Sequence, residues 1–161
     1  MSRILISVLL GLCSFAFAED EDLWEKHKDE ITTTCKKYIA RVISPKEQKA
    51  WRKKVEDTVQ QRVKDAGTDE ESALQSYGFD WAADNRAKLE SKDEQCIKKA
   101  CMLFVYFKEK NYSPPGQMRE RLTDENVREL VSFLEDLIAA KEGVDKNPPK
   151  TPKTEDIKNE K

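Results

Sequence analysis

The sequence predicts an all-α protein: a single-domain bundle of about five helices with one disulfide and a disordered C-terminal tail. Apolar residues recur at helical spacing in several segments, and the most apolar segment after the N-terminus is Cys96–Phe107. Three Ser/Thr-x-x-Glu capping boxes stand before helical patterns. The chain has only five glycines among many Lys, Glu, Ala and Leu residues, and this composition favours helix over sheet.

The N-terminus has the pattern of a secretory signal peptide. Arg3 supplies a positive charge, Ile4–Phe17 is apolar, and Ala16-Phe17-Ala18 matches a small-x-small cleavage site. We therefore expect residues 1–18 to be removed, residues 19–143 to form the helical domain, and the protein to be secreted and extracellular. No other segment approaches the roughly 20 apolar residues of a membrane helix, so we expect no membrane span.

The first three helices have clear start or stop signals. Asp22–Ile43 carries apolar residues at helical spacing on one face. The second helix begins at Ser44-Pro45-Lys46-Glu47, which combines an N-cap serine, a proline at the first helical position and a glutamate that closes the box, and it should end before Gly67. Thr68-Asp69-Glu70-Glu71 is another capping box, and it predicts a short helix that ends before Gly78.

The central helix organises the second half of the chain. Ser91-Lys92-Asp93-Glu94 predicts its capping box, and its apolar face is wider than a surface helix needs, so we expect it to be mostly buried. It should end near Lys110, before a turn at Ser113-Pro114-Pro115-Gly116. The last helix, capped at Thr123, has a strong apolar stripe and should end at Gly143.

The C-terminal segment and the net charge complete the outline. Residues 144–161 hold prolines and many charges with almost nothing apolar, so we expect a disordered tail. The formal charge of the whole chain is −2, and removal of Arg3 with the signal makes it −3. This near-neutral balance gives no reason to expect nucleic acid as a partner.

Three cysteines remain after cleavage, in an oxidising compartment. Cys96 and Cys101 are five residues apart on one helix, where their side chains point roughly 140° apart and their Cα atoms exceed the usual limit of about 7 Å for a disulfide. A bridge from Cys35 to the central helix is therefore expected. We favour Cys101, which shares a stripe with Ile97 and Phe104, and Cys96 is the alternative. The third thiol is then buried or links two chains.

The sequence offers no constellation for catalysis or metal binding. The single histidine, His27, lies on a polar stretch, and a Cys/His nucleophile pair would need a free activated thiol, whereas these cysteines are better explained as structural. A zinc site needs about four Cys or His ligands at close spacing. A glycine-rich phosphate loop is also missing. We therefore expect a non-enzymatic protein with no cofactor and no metal.

Two surface features could involve partners. A basic patch lies on the second helix and in the residues just before it. It suits an extracellular protein or an anionic, heparin-like glycan as a partner, although a solvated helix face is the plainer interpretation. Its predicted contact residues are Arg41, Lys49, Arg52 and Lys53. Asn111-Tyr112-Ser113 is a glycosylation sequon, and we expect Pro114 directly after it to lower its use.

The order of features around the central helix resembles insect odorant-binding proteins and their salivary relatives. Cys35 matches the cysteine on that family's first helix, Cys96 and Cys101 match its pair on a central helix, and Tyr112–Met118 matches the following turn. The resemblance covers Glu94–Ile138 together with Cys35. It implies a helical fold with a ligand cavity.

The aromatic residues give the leading functional hypothesis. They lie near apolar faces, where they either pack a closed core or line a cavity between helices that suits a small hydrophobic ligand. We expect a secreted, non-enzymatic protein with such a ligand in an interhelical cavity. The residues expected to line it are Trp81, Phe104, Phe107 and Leu134. The alternative is an extracellular interaction effector or inhibitor that acts through a charged helical surface.

Overall fold

The computed structural model describes residues 21–146, which form seven α-helices and no strand. The helices are α1 (Leu23–Val42), α2 (Pro45–Ala66), α3 (Glu70–Asp84), α4 (Arg86–Glu90), α5 (Glu94–Lys110), α6 (Gly116–Arg119) and α7 (Asp124–Lys146). The predicted all-α class is confirmed, but the predicted number of about five helices is too low; two of the seven, α4 and α6, are short. The predicted signal peptide over residues 1–18 and the tail beyond residue 146 lie outside the described residues.

The capping box predicted at Ser44 is confirmed, whereas the N-cap of α3 is Asp69, whose carboxylate accepts from the Ser72 N–H at 2.7 Å, and not the predicted Thr68. The Ser44 Oγ accepts a hydrogen bond from the Glu47 backbone N–H at 3.2 Å, and the Glu47 carboxylate accepts one from the Ser44 N–H at 3.1 Å. At the other end of α2, Gly67 has φ 62°, a left-handed conformation that glycine adopts without strain. The Asp22 carboxylate accepts from the Trp24 N–H at 3.1 Å and caps α1.

The central helix α5 begins later than expected, and the predicted N-cap at Ser91 is wrong. Asp93 is the N-cap, and its carboxylate accepts from the Cys96 N–H at 3.0 Å. A carboxylate at this position also complements the positive end of the helix dipole. Ser91 is instead the C-cap of α4, where its hydroxyl donates to the Lys88 carbonyl at 3.1 Å.

Two glycines that were expected to end helices lie inside them. Gly78 is buried within α3, and a Cβ built on it would lie only 3.2 Å from the Phe107 Cζ and 3.5 Å from the Pro115 Cδ. The missing side chain therefore permits close approach to α5 rather than a helix stop. Helix α7 likewise passes through Gly143 and continues to Lys146, into the segment predicted as tail.

Helix α1 packs against both α5 and α7. It runs antiparallel to α5, because Asp29 near its start pairs with Lys108 at 2.6 Å and Tyr38 near its end donates to Glu94 at 3.2 Å. It runs parallel to α7, as two contacts at opposite ends indicate: His27 to Asp124 at 2.8 Å and Arg41 to Glu142 at 2.9 Å. These three helices hold most of the buried side chains, and α5 is mostly buried, as predicted.

Helices α2 and α3 form a hairpin around Gly67. Arg62 on α2 links the two helices, because its guanidinium donates to Asp80 and to Ser76 on α3, each at 2.8 Å. The hairpin reaches α5 through the contact of Gly78 with Phe107 described above. It also does so through an edge-on pair of Trp51 and Tyr106, whose ring centroids are 6.3 Å apart.

The disulfide joins the middle of α1 to α5. The sulfur atoms of Cys35 and Cys101 lie at disulfide distance, with their Cα atoms 5.0 Å apart, inside the usual range for a bridge. Both side chains are buried. Cys96, the alternative partner, is also buried and is not bridged. Burial, with the Asp93 carboxylate nearby, raises the pKa of the Cys96 thiol.

Candidate functional site

An apolar groove of about 430 Å³ opens between the α3–α4 segment, α5, the α6 region and α7. Small-molecule sites commonly enclose roughly 300–1,000 Å³ and are lined mainly by hydrophobic and aromatic groups. The residues that line this groove are Phe79, Trp81, Ala82, Ala83, Arg86, Leu89, Ile97, Ala100, Phe104, Gln117, Met118, Arg121, Leu122 and Leu130. Its volume and its lining both fit a small hydrophobic ligand.

Helix α5 provides one wall of the groove from a single face. Ile97, Ala100 and Phe104 are three and then four residues apart, so their side chains project on the same side of the helix. Ala100, the smallest of the three, leaves space between its two larger neighbours. The Phe104 ring is held from behind by Trp24, with the two rings stacked at a centroid distance of 6.0 Å.

The opposite wall depends on the interruption between α3 and α4. The Asn85 backbone N–H donates to the Trp81 carbonyl at 3.1 Å, and the Asn85 side-chain amide donates to the same oxygen at 2.8 Å. Asn85 is the C-cap of α3, where its backbone leaves the helical conformation with φ −109° and ψ 11°, and α4 then begins at Arg86. Trp81 on α3 and Leu89 on α4 therefore line the same groove from separate helices.

The structure divides the four predicted ligand residues into two pairs. Trp81 and Phe104 line the groove together. Phe107 and Leu134 do not line it: both are 0% exposed and belong to the closed core. Phe107 packs against Gly78 instead, as described above. Two of the four predicted ligand residues thus line the same groove, and the other two belong to the core of the fold.

Sequence reasoning missed several groove residues. Phe79, which is 42% exposed, is the one large hydrophobic side chain found exposed in the described part of the chain. With Ala82 and Leu89 it gives an otherwise polar segment a short apolar pattern, which was the available signal. Met118 was assigned to the predicted turn and Leu122 to no element, so nothing marked either of them as a wall residue.

The groove has charge of only one sign on its walls. Its two charged lining residues are Arg86 and Arg121, and no carboxylate lines it. The Arg86 Nε donates to Glu90 at 3.1 Å in an exposed pair. Between residues 21 and 146, the Arg121 side chain has no hydrogen-bond or ion-pair partner. The Gln117 amide adds an uncharged polar group to the same lining.

The predicted basic patch is largely neutralised by neighbouring carboxylates. Three of its four residues form ion pairs: Arg41 with Glu142 at 2.9 Å, Lys53 with Asp57 at 2.8 Å, and Arg52 with Glu109. The Arg52 guanidinium also lies 5.4 Å from the centroid of the Tyr106 ring. Lys49 is exposed and lines a second depression, of about 450 Å³, between α1, α2 and α5.

The structure also locates His27 and Asn111, two residues that the sequence analysis considered. His27 is buried, and its Nε2 lies 2.8 Å from the Asp124 Oδ1, so it joins α1 to α7. That hydrogen bond, with a second one from Lys26, lowers the pKa of the Asp124 carboxyl. Asn111 is exposed at the C-cap of α5 with φ 58°, and its glycosylation stays a prediction.

The part of the chain that the structure describes has neither a metal cluster nor a helix suited to a membrane. Among residues 21–146, no cluster of three or more His, Cys, Asp or Glu side chains is arranged to hold a metal ion. None of the seven helices combines the length and the apolar character needed to cross a membrane.

The chain matches no protein-family model, no curated protein and no solved structure. The resemblance to odorant-binding proteins therefore stays a prediction from the sequence.

Proposed function

We propose that the protein is a secreted, non-enzymatic carrier that binds a small hydrophobic ligand in the groove between α3–α4, α5, the α6 region and α7. The observation that supports this proposal is an apolar groove of about 430 Å³ whose walls include Trp81 and Phe104. A closed core would have left no such space between the helices. Binding would come from the burial of apolar ligand surface against these walls.

Order-of-magnitude energetics are compatible with this role. A ligand that buries about 300 Å² of apolar surface gains roughly 7 kcal/mol at about 25 cal/mol per Å². The loss of translational and rotational freedom offsets several kcal/mol of that gain. Preorganised walls reduce the remaining cost, and Ile97, Ala100 and Phe104 are already held on a buried helix. A net gain of about 4 kcal/mol corresponds to a Kd of roughly 1 mM, so a ligand must bury more apolar surface than this to reach micromolar affinity.

Native mass spectrometry of the secreted protein, purified from its natural source without detergent, tests the carrier role directly. We expect an additional lipid-sized mass on the folded protein that disappears on denaturation. The released compound would identify the ligand class. A ligand-free protein that also fails to bind a neutral fluorescent hydrophobic probe, such as N-phenylnaphthylamine, would contradict the proposal.

A pair of substitutions tests whether the groove is the site. Ala83 lines the groove and is exposed, so Ala83→Phe places a ring in the ligand space without disturbing the core. Ala87 is exposed on α4 outside the lining, so Ala87→Phe is the matched control. We expect the first variant to lose most of its probe binding and the second to retain it. Equal probe binding by both variants would place the ligand elsewhere.

A surface-binding effector or inhibitor is the second candidate. The supporting observation is Lys49, an exposed cation beside a depression that Trp51 and Met102 also line. The triple variant Lys49→Glu, Arg52→Glu and Lys53→Glu should abolish partner capture if this candidate is correct, and it should leave probe binding unchanged. Partner capture that survives the charge reversal would exclude this surface.

A further inference from the structure

The charge of the groove differs from the charge of the chain as a whole. The sequence is nearly balanced, with 29 Lys and Arg against 31 Asp and Glu. The groove, in contrast, has two charged residues among its walls, and both are arginines. A purely neutral ligand would leave Arg121 without a partner among the described residues and Arg86 with only its exposed pair to Glu90. The positive lining therefore points to a ligand that carries negative charge at one end.

Both arginines are available to an incoming anion. Arg121 is exposed, and its side chain makes no hydrogen bond or ion pair with the residues that the structure describes. Arg86 is engaged only by Glu90, four residues along the same short helix, and both side chains of that pair are more than half exposed. Exposed pairs of this kind are weak, so a ligand anion can replace the Glu90 carboxylate.

The two arginines come from different walls. Arg86 begins α4, whereas Arg121 follows α6, and the apolar stripe of Ile97, Ala100 and Phe104 belongs to α5. A guanidinium offers a planar fork of donors that matches the oxygen atoms of an anionic head group. An aliphatic chain suits the α5 stripe, where every side chain is apolar.

We propose that the ligand is a single-chain amphiphile with an anionic head, of which a long-chain fatty acid is the simplest example. Arg86 and Arg121 bind the head, and the apolar walls bury the chain. This inference rests on the proposed carrier function and specifies its ligand class. It assigns to the two arginines a role in ligand selection that the apolar walls do not have.

Calorimetric titration with three compounds of equal chain length tests the inference. The compounds are dodecanoate, dodecanol and dodecyltrimethylammonium, with the two ionic compounds kept below their micelle concentrations and dodecanol below its solubility limit. Because charge-assisted hydrogen bonds are the stronger class, we expect dodecanoate to bind about tenfold more tightly than dodecanol. The cationic compound should bind most weakly. Raised salt should reduce the advantage of dodecanoate and leave dodecanol binding nearly unchanged.

The double variant Arg86→Gln and Arg121→Gln identifies the groups responsible. Both side chains are exposed, so the fold should persist, and circular dichroism checks this. We expect the variant to lose the tenfold preference for dodecanoate over dodecanol. The control is Arg128→Gln, which removes an exposed arginine on α7 that does not line the groove. It should behave like the wild type.

The outcomes separate this inference from the function on which it rests. Equal binding of all three compounds by the wild type, blocked by Ala83→Phe, would support the carrier and overturn the anionic ligand. Failure of all three compounds to bind would overturn both. A tenfold preference for dodecanoate that survives the double variant would overturn the role of the two arginines. A dimer that Ala83→Phe dissociates, seen by sedimentation, would assign the groove to a second copy of the chain and overturn both.

Discussion

Replacing both bridged cysteines with alanine should remove a large part of the stability of this protein. The bridge joins residues 66 positions apart, and the loop-entropy relation for a loop of that length gives about 4 kcal/mol at 25 °C. Cys35 and Cys101 are also buried, so each lost sulfur adds about 1 kcal/mol of lost packing. We therefore expect the Cys35→Ala, Cys101→Ala variant to lose about 6 kcal/mol, against a total stability of about 5–15 kcal/mol for a typical domain.

The control for this experiment is Cys96→Ala, which removes a buried sulfur and leaves the bridge intact. It should cost about 1 kcal/mol. Urea unfolding without reductant, followed by far-ultraviolet circular dichroism, gives the free energy of unfolding of each protein. If the double variant loses no more than twice the loss of the control, the cross-link contributes nothing, and the assignment of the bridge to Cys35 and Cys101 is refuted.

Three further substitutions or modifications test other parts of the fold. Gly78→Ala should lower the free energy of unfolding by about 1 kcal/mol, because crowding against the fully buried Phe107 ring outweighs the gain in helix propensity; a more stable variant in urea would contradict this. The bond with His27 lowers the pKa of Asp124, so that carboxylate stabilises the fold above its ordinary pKa and ceases to do so as the pH falls through the lowered value. Asp124→Asn should therefore be less stable than the wild type at neutral pH and equally stable in strong acid, and thermal unfolding at both pH values would show an unchanging difference if this were wrong. Because burial raises the pKa of the Cys96 thiol, dithionitrobenzoate should react slowly with the native protein. In urea the reagent should react with one thiol per mature chain. Fast reaction of the native protein would refute the burial of Cys96.

Local sequence signals predicted both ends of α2 correctly, but they misplaced the N-caps of α3 and α5 as well as two helix ends. The Ser44 capping box is a local arrangement of neighbouring residues, so its chemistry can be read without tertiary information. Gly78 and Gly143 were taken as stops because glycine is common after helices. Gly78 instead lies where Phe107 needs space, a requirement that arises only when α3 and α5 meet. Tertiary packing therefore explains the wrong prediction at Gly78, whereas nothing lies within 4 Å of a Cβ at Gly143 and the structure offers no packing reason for that helix to continue.

The sequence predicted that aromatic residues would line the candidate site. It did not predict which of them would face an open groove and which would be buried in the core. Helical spacing showed that Phe104 and Phe107 lie on apolar faces of one helix, but it does not say which face meets a neighbouring helix and which meets a space. The structure places Phe107 in the closed core and Phe104 at the groove. Arg86 and Arg121 were missed for a related reason: they share a site only because α4 and the segment after α6 line the same groove.

The pairing of α1 with α5 and α7 restricts the order in which the chain can fold. The contact between His27 and Asp124 spans 97 residues, and the contact between Arg41 and Glu142 spans 101. The α2–α3 hairpin, in contrast, joins helices that are adjacent in the chain. Local contacts of this kind form sooner than distant ones, because less chain must be ordered to make them.

During synthesis, α1 is made before α5 and α7, which follow later in the described chain. It therefore cannot pack against them until they have been synthesised. Until α5 and α7 arrive, the apolar face of α1 that includes Ile31 and Tyr38 has no cover. The α2–α3 hairpin can assemble in that interval, and the last helix completes the core. The groove belongs to the same final stage, because Leu130 on α7 is one of its walls.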